Sequence, residues 1–264
     1  MRKSSTTQRR KQLVSIMVVG ILILVLAVAG IGIHIISKYI PSKEQMNLTE
    51  YYGQPAEGEM VLVLGTDIME ERALKSGDQI YLPQDIVSTY LNQRYYWDSG
   101  NQQILYATPS SLEKFPASEA GDGEVWVRDG KVYLSLSLVQ KYTDLDFYEY
   151  QEPARVVIRH EFTGVNVATV KKDTSIRYRG GIKSPVLTEV KKGDTLIYMQ
   201  ALEDWVQVST MDGYIGYVQK KVLSDMETTD FERNFEKEDY TYLTMEDKVN
   251  MTWHQITNTD ANAY

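Results

Sequence analysis

The sequence predicts a single N-terminal transmembrane helix followed by a mainly β, α+β ectodomain, built from two copies of an α+β unit and one small β-barrel. Three observations lead there: an apolar run from Leu13 to Ile36 behind a basic leader, a self-similarity at 52 residues, and a Gly-punctuated series of short β-rich runs after it. The chain has 264 residues, a formal net charge of −8 and no cysteine. That excludes a disulfide framework, a thiol nucleophile and a zinc-thiolate site. The three histidines, His34, His160 and His254, are too scattered along the chain to suggest a metal cluster or a Ser/His/Asp set. No metal and no cofactor are expected.

Residues 1–12 form a basic tail with Arg2, Lys3, Arg9, Arg10 and Lys11, and residues 13–37 read as the membrane-spanning helix. At about 1.5 Å per residue such a helix covers roughly 35 Å, enough for a hydrocarbon core of about 30 Å. Positive charge before it places the N-terminus in the cytoplasm and the bulk of the chain outside, with the lipid bilayer as a partner through Leu13–Ile36. A cleaved signal peptide competes, since Ala27-Val28-Ala29 has cleavage-site character, but the apolar run continues to Ile36. Beyond the basic tail the net charge is −13. A nucleic-acid partner is therefore not expected. Lack of cysteine in an exported chain suits a bacterial cell envelope.

After a linker at 38–57, Gly77-Asp78-Gln79-Ile80-Tyr81-Leu82 lies over Asp129-Gly130-Lys131-Val132-Tyr133-Leu134, and the alignment runs on without a gap through Ile104-Leu105-Tyr106 over Val156-Val157-Ile158. Each copy reads as a strand after a Gly/Asp turn, a helical stretch, an aromatic strand and an apolar strand. Ile86, Val87 and Tyr90, like Leu138, Val139 and Tyr142, give each helical stretch one apolar face. The units are expected at about 58–109 and 122–161. With Tyr81-Leu82-Pro83 and Tyr95-Tyr96-Trp97, the segment 58–161 resembles the stalk domain named for the N-terminal domain of copper amine oxidases; Ser135 replaces Pro83 in the second copy. Only His160 falls in this region, so copper is not expected.

From 165 to 224 the runs Val186–Val190, Thr195–Tyr198, Trp205–Val208 and Tyr214–Val218, joined by Gly193-Asp194 and Asp212-Gly213, predict a closed small barrel. Ser175-Ile176-Arg177, Gly193-Asp194, Trp205-Val206-Gln207-Val208 and Gly213-Tyr214-Ile215-Gly216-Tyr217-Val218 resemble the bacterial SH3-type domain of cell-wall proteins, with Ser175 and Tyr217 departing from its pattern. Gly193, Asp194, Trp205, Gly213, Gly216 and Tyr217 form the structural signature. The resemblance implies binding of cell-wall peptidoglycan or a related glycan and no catalysis. Trp205, Val208 and Tyr217 also fit a purely structural role, which is favoured for Trp205 and Val208. Arg177, Tyr178, Arg179 and Tyr214 are the expected contact residues, because amphipathic rings beside cations suit a partly wet groove.

Residues 225–247 hold nine acids against Arg233 and Lys237 and read as a solvated linker. Residues 248–264, with Lys248-Val249-Asn250 and Trp253-His254-Gln255-Ile256-Thr257-Asn258, resemble the first barrel strand of family 18 glycoside hydrolases. A β/α barrel needs about 250 residues, so only its beginning is present. The catalytic Asp-x-x-Asp-x-Asp-x-Glu signature of that family has no match, and Asp144 and Asp146 are read as turn residues. As given, the chain is expected to be a membrane-anchored, non-catalytic, wall-binding front part of a glycosidase-like protein. An envelope scaffold or sensor and, if the natural chain continues, a chitinase-like hydrolase are the alternatives.

Overall fold

The structure, a computed structural model, describes residues 17–25, 37–108 and 111–232. It is mostly β, with one ten-stranded and one seven-stranded sheet. Among the described residues no helix is long and apolar enough to cross a membrane. Of the run Leu13–Ile36 only residues 17–25 are described, and they are helical; at about 1.5 Å per residue a helix of that length covers less than half of a bilayer core. The expected transmembrane helix, the single-pass placement and the bilayer partner are set aside on that finding.

Residues 38–57, expected as a linker, are part of the fold. Gln45 forms a parallel bridge to Val186, and the Val186 and Met46 amides donate to Glu44 O and Val186 O, each at 2.7 Å. A short helix α1 (Leu48–Tyr52) follows, capped by the Asn47 side chain, which accepts from the amides of Thr49 and Glu50.

The ten-stranded sheet holds β1 (Glu59–Leu64), β2 (Asp67–Ser76), β3 (Gln79–Pro83), β4 (Tyr95–Asp98), β5 (Gln103–Ala107), β6 (Leu112–Ser118), β7 (Val125–Arg128), β8 (Lys131–Ser135), β9 (Asp146–Gln151) and β10 (Ala154–Arg159). Helix α2 (Gln84–Ile86) runs on into a wider turn at Val87–Leu91, and α3 (Leu136–Tyr142) follows β8. The strand order is β4-β5-β6-β7-β8-β3-β2-β1-β10-β9. At its middle, Leu82 of β3 lies opposite Leu134 of β8, residues one sequence period apart, so a local pseudo-twofold passes between them.

The two copies are interleaved: β5 of the first pairs with β6 of the second, and β10 of the second with β1 of the first. Strand β6, which falls between the two expected units, is the 52-residue equivalent of β1. It runs the other way, because β1 turns directly into β2 at Gly65-Thr66, whereas the longer loop after β6 lets its last two residues pair parallel with β7. Side chains tie the copies further. The Tyr95 hydroxyl donates to Leu138 O at 2.9 Å, and the Asn92 amide donates to Tyr142 O and Thr143 Oγ1, each at 3.1 Å.

Strand β1 is buried on both faces, as its unbroken apolar run Met60-Val61-Leu62-Val63-Leu64 requires. Met60, Leu62 and Leu64 join Val156, Ile158 and the helices in one core, while Val61, Val63 and Val157 face the second module.

That module consists of β11 (Val165–Thr169), β12 (Thr174–Arg177), β13 (Val186–Val190), β14 (Thr195–Ala201), β15 (Trp205–Ser209), β16 (Ile215–Gln219) and β17 (Glu227–Thr229), ordered β13-β12-β16-β15-β14-β11-β17. Val190 of β13 and Leu196 of β14 sit in one core with Ile176, Val206 and Val218, so the sheet coils on itself. Its end strands β13 and β17 do not pair with each other, and the expected closed barrel is therefore open. The acidic stretch from Asp225, expected as a linker, starts inside the fold: β17 pairs with β11 over Glu227–Thr229, and the Phe231 amide donates to Phe162 O at 2.7 Å. The rest of that stretch and the barrel-like strand at 248–264 lie outside the described residues.

Candidate functional site

An open cleft of about 610 Å³ on the coiled sheet is lined by Ile182, Glu203, Asp204, Trp205, Gln219, Lys220 and Lys221. Its volume falls within the several hundred Å³ usual for ligand pockets. Three chain turns meet here. Trp205 opens β15 directly after the polar turn at 202–204, closed by the Leu202 amide on Trp205 O at 2.8 Å. Lys220 and Lys221 begin the single turn after β16, held to the first by the Lys220 amide on Asp204 O at 2.9 Å.

The third element is the loop from Tyr178 to Pro185. Arg177, 6% exposed, anchors it from below: one guanidinium nitrogen donates to Ser184 O at 2.6 Å and to Ser42 O at 3.0 Å. Above it Gly180 lies against the indole, where an added Cβ would stand 3.3 Å from Trp205 Cγ. The result is a half-buried indole between an acidic pair, Glu203 and Asp204, and a basic pair, Lys220 and Lys221, with Ile182 adding an apolar rim. Such a surface can stack a ring or an alkyl chain and receive groups of either charge.

Trp205 is therefore not core. Strand residues alternate, so once Val206 and Val208, both 0% exposed, face inward, Trp205 and Gln207 must face out. Trp205 and Val208, grouped as structural by the sequence, are three apart and cannot share a face. Among the expected contact residues, Arg177 is a buried scaffold cation. Desolvation pulls its pKa down, with the charge of Glu189 acting the other way. Tyr214, 9% exposed, sits at the seam between the modules, its ring 5.0 Å from the Arg155 guanidinium and 5.8 Å from the Tyr52 ring. Neither is available for contact.

Arg179 is exposed and Tyr178 half-buried against the core, and both line a different groove, which they share with Tyr217. Gly193 and Gly213 have φ of 97° and 85°, the left-handed region that favours glycine. Asp194 closes its own turn by accepting the Lys191 amide at 2.8 Å. Gly216 permits the close approach of Arg177 O. Asp146, read as a turn residue, instead opens β9 and is buried. Ile182, Glu203, Asp204, Lys220 and Lys221 went unnoticed in the sequence; the acid pair directly before Trp205 is the signal that could have found them.

Among the described residues there is no group of three or more His, Asp or Glu placed to hold a metal ion. No family model, curated protein or solved structure matches the chain.

Proposed function

We propose that this chain is a non-catalytic binding protein that holds cell-wall peptidoglycan or a related glycan in the Trp205 cleft, and that it serves as the positioning front part of a family 18 glycosidase-like protein. The observation that carries the reading is the half-buried indole between acidic and basic pairs, on the coiled sheet whose sequence signature resembles the bacterial SH3-type domain. A wall polymer offers sugar rings for the indole, and ammonium and carboxylate groups on its peptides for the two charged rims. The large flat ring provides contact area at small entropic cost.

The test is to mix the full chain with purified wall sacculi and pellet them. The chain is expected in the pellet, and Trp205→Ala is expected to move most of it to the supernatant without changing the free energy of urea unfolding by more than about 0.5 kcal/mol, as for a residue that is not core. Recovery of all the wild-type chain in the supernatant would overturn the proposal.

A further inference from the structure

A second groove, of about 450 Å³, lies where the coiled sheet meets the ten-stranded one. Its floor is Gln207 and Tyr217, cross-strand partners on β15 and β16 whose side chains point away from the core. One wall is Tyr178 with Arg179, and the other is the turn and first residues of β2, Thr66 to Ile68. Tyr51 from α1 joins the first wall, its ring edge-on to Tyr178 with centroids 6.1 Å apart. Three separate parts of the chain thus build this groove, and the coiled sheet by itself supplies the floor and one wall but not the other.

Two features point to a ligand. Asp67 and Arg179, both exposed, line the same groove without pairing. Among the described residues the Asp67 carboxylate has no ion-pair or hydrogen-bond partner, and the Arg179 guanidinium has only the Tyr178 ring, 5.2 Å away. The aromatic wall is also fixed in advance: the Tyr51 hydroxyl donates to Ile215 O at 2.7 Å and accepts from the Ile215 amide at 2.9 Å. A wall held this way loses little entropy when a ligand arrives.

We propose that this junction groove is a second binding site, distinct from the Trp205 cleft, for a short peptide carrying both a free ammonium and a free carboxylate. The ammonium pairs with Asp67, the carboxylate with Arg179, and the backbone lies over Tyr217 and Gln207. Because the acid comes from one module and the base from the other, the site exists only when the two are docked.

The test uses the full chain and tetraalanine with free termini, followed by amide chemical shifts. Saturable shifts are expected at 66–68, 178–179 and 215–217. Asp67→Asn and Arg179→Gln, both exposed positions, are each expected to weaken binding roughly tenfold, as loss of one charge-assisted hydrogen bond does. N-acetylated, C-amidated tetraalanine is expected not to bind. Trp205→Ala should leave the peptide shifts in place, and the double variant Asp67→Asn, Arg179→Gln should still pellet with sacculi; these two results separate this site from the Trp205 cleft. No shift with the free peptide, equal binding of the capped one, or unaltered affinity in both charge variants would overturn the proposal, as would loss of binding in Trp205→Ala.

Discussion

A Cβ on residue 216 would stand 2.6 Å from Arg177 O, 2.7 Å from Leu187 Cδ1 and 2.8 Å from Ile176 Cγ2. Two of those atoms belong to the core and the third to the strand that anchors the cleft loop, so none can yield cheaply. Gly216→Ala is expected to cost about 2–3 kcal/mol in urea unfolding. Gly181→Ala, with nothing within 4 Å of its Cβ, should change stability by less than about 0.5 kcal/mol. His160 provides a pH-dependent counterpart. Burial lowers its pKa, with Glu161 acting the other way, and its buried Nδ1 has no hydrogen-bond partner. The fold therefore prefers the neutral ring. Above about pH 6.5 both states are neutral and stability is full; below it the unfolded chain takes up the proton first, and stability falls until pH passes the lower folded value. His160→Gln is expected to flatten the decline in urea midpoint between pH 7.5 and 5. A decline identical to wild type would refute this. Glu149, whose pKa is lowered first by its bond to Lys75, acts in a separate window: below about pH 4.5 the unfolded chain takes up the proton first, and the contribution is lost as pH falls through the lower folded value.

Among elements, the two copies of the repeat also differ at their helix starts. Ser135 caps α3 by accepting the Leu138 amide at 3.2 Å, whereas Pro83, its equivalent, starts α2 with no side-chain cap. Ser135→Ala is expected to cost about 1 kcal/mol, read as a lower thermal midpoint; an unchanged midpoint would mean that packing alone holds the turn. Strand signals of this kind were legible locally. The unbroken apolar run Met60–Leu64 states that β1 has two dry faces, and the alternation from Trp205 to Val208 sorts β15 into two faces, with Trp205 and Gln207 on one and Val206 and Val208 on the other. The partner of each face was not legible, since apolar residues carry no address: Val61 and Val63 pack on the coiled sheet, and Leu62 beside them on the helices.

At the scale of the whole molecule, Arg155 is the main fastening between the two sheets. It is 3% exposed and lies 5.4 Å from the Tyr52 ring, 4.5 Å from Tyr150 and 5.0 Å from Tyr214. It donates to Asp212 O at 3.2 Å and Glu152 O at 3.1 Å. Around it, Val61, Val63 and Val157 of the large sheet share one core with Ile176, Val206 and Val218 of the other. The described modules should thus unfold as a unit. Arg155→Met is expected to remove about 3 kcal/mol and to lower a tryptophan-fluorescence and a circular-dichroism transition together. Two separated transitions in the wild-type chain would contradict a shared core.

The sequence by itself determined the 52-residue period, the glycines at positive φ, the alternating strands and the poverty of thiols and imidazoles. These are readable because each follows from covalent geometry or side-chain chemistry within a few residues. Only the tertiary structure decided that the copies interleave through β3 and β8, that residues 42–52 wrap the coiled sheet, and that Arg177 and Tyr214 are buried while Trp205 is open. It also decided that Asp67 and Arg179 share a groove. Those outcomes depend on which faces meet between segments far apart in the chain, and hydrophobic burial, the force that joins them, is non-directional and leaves no local mark.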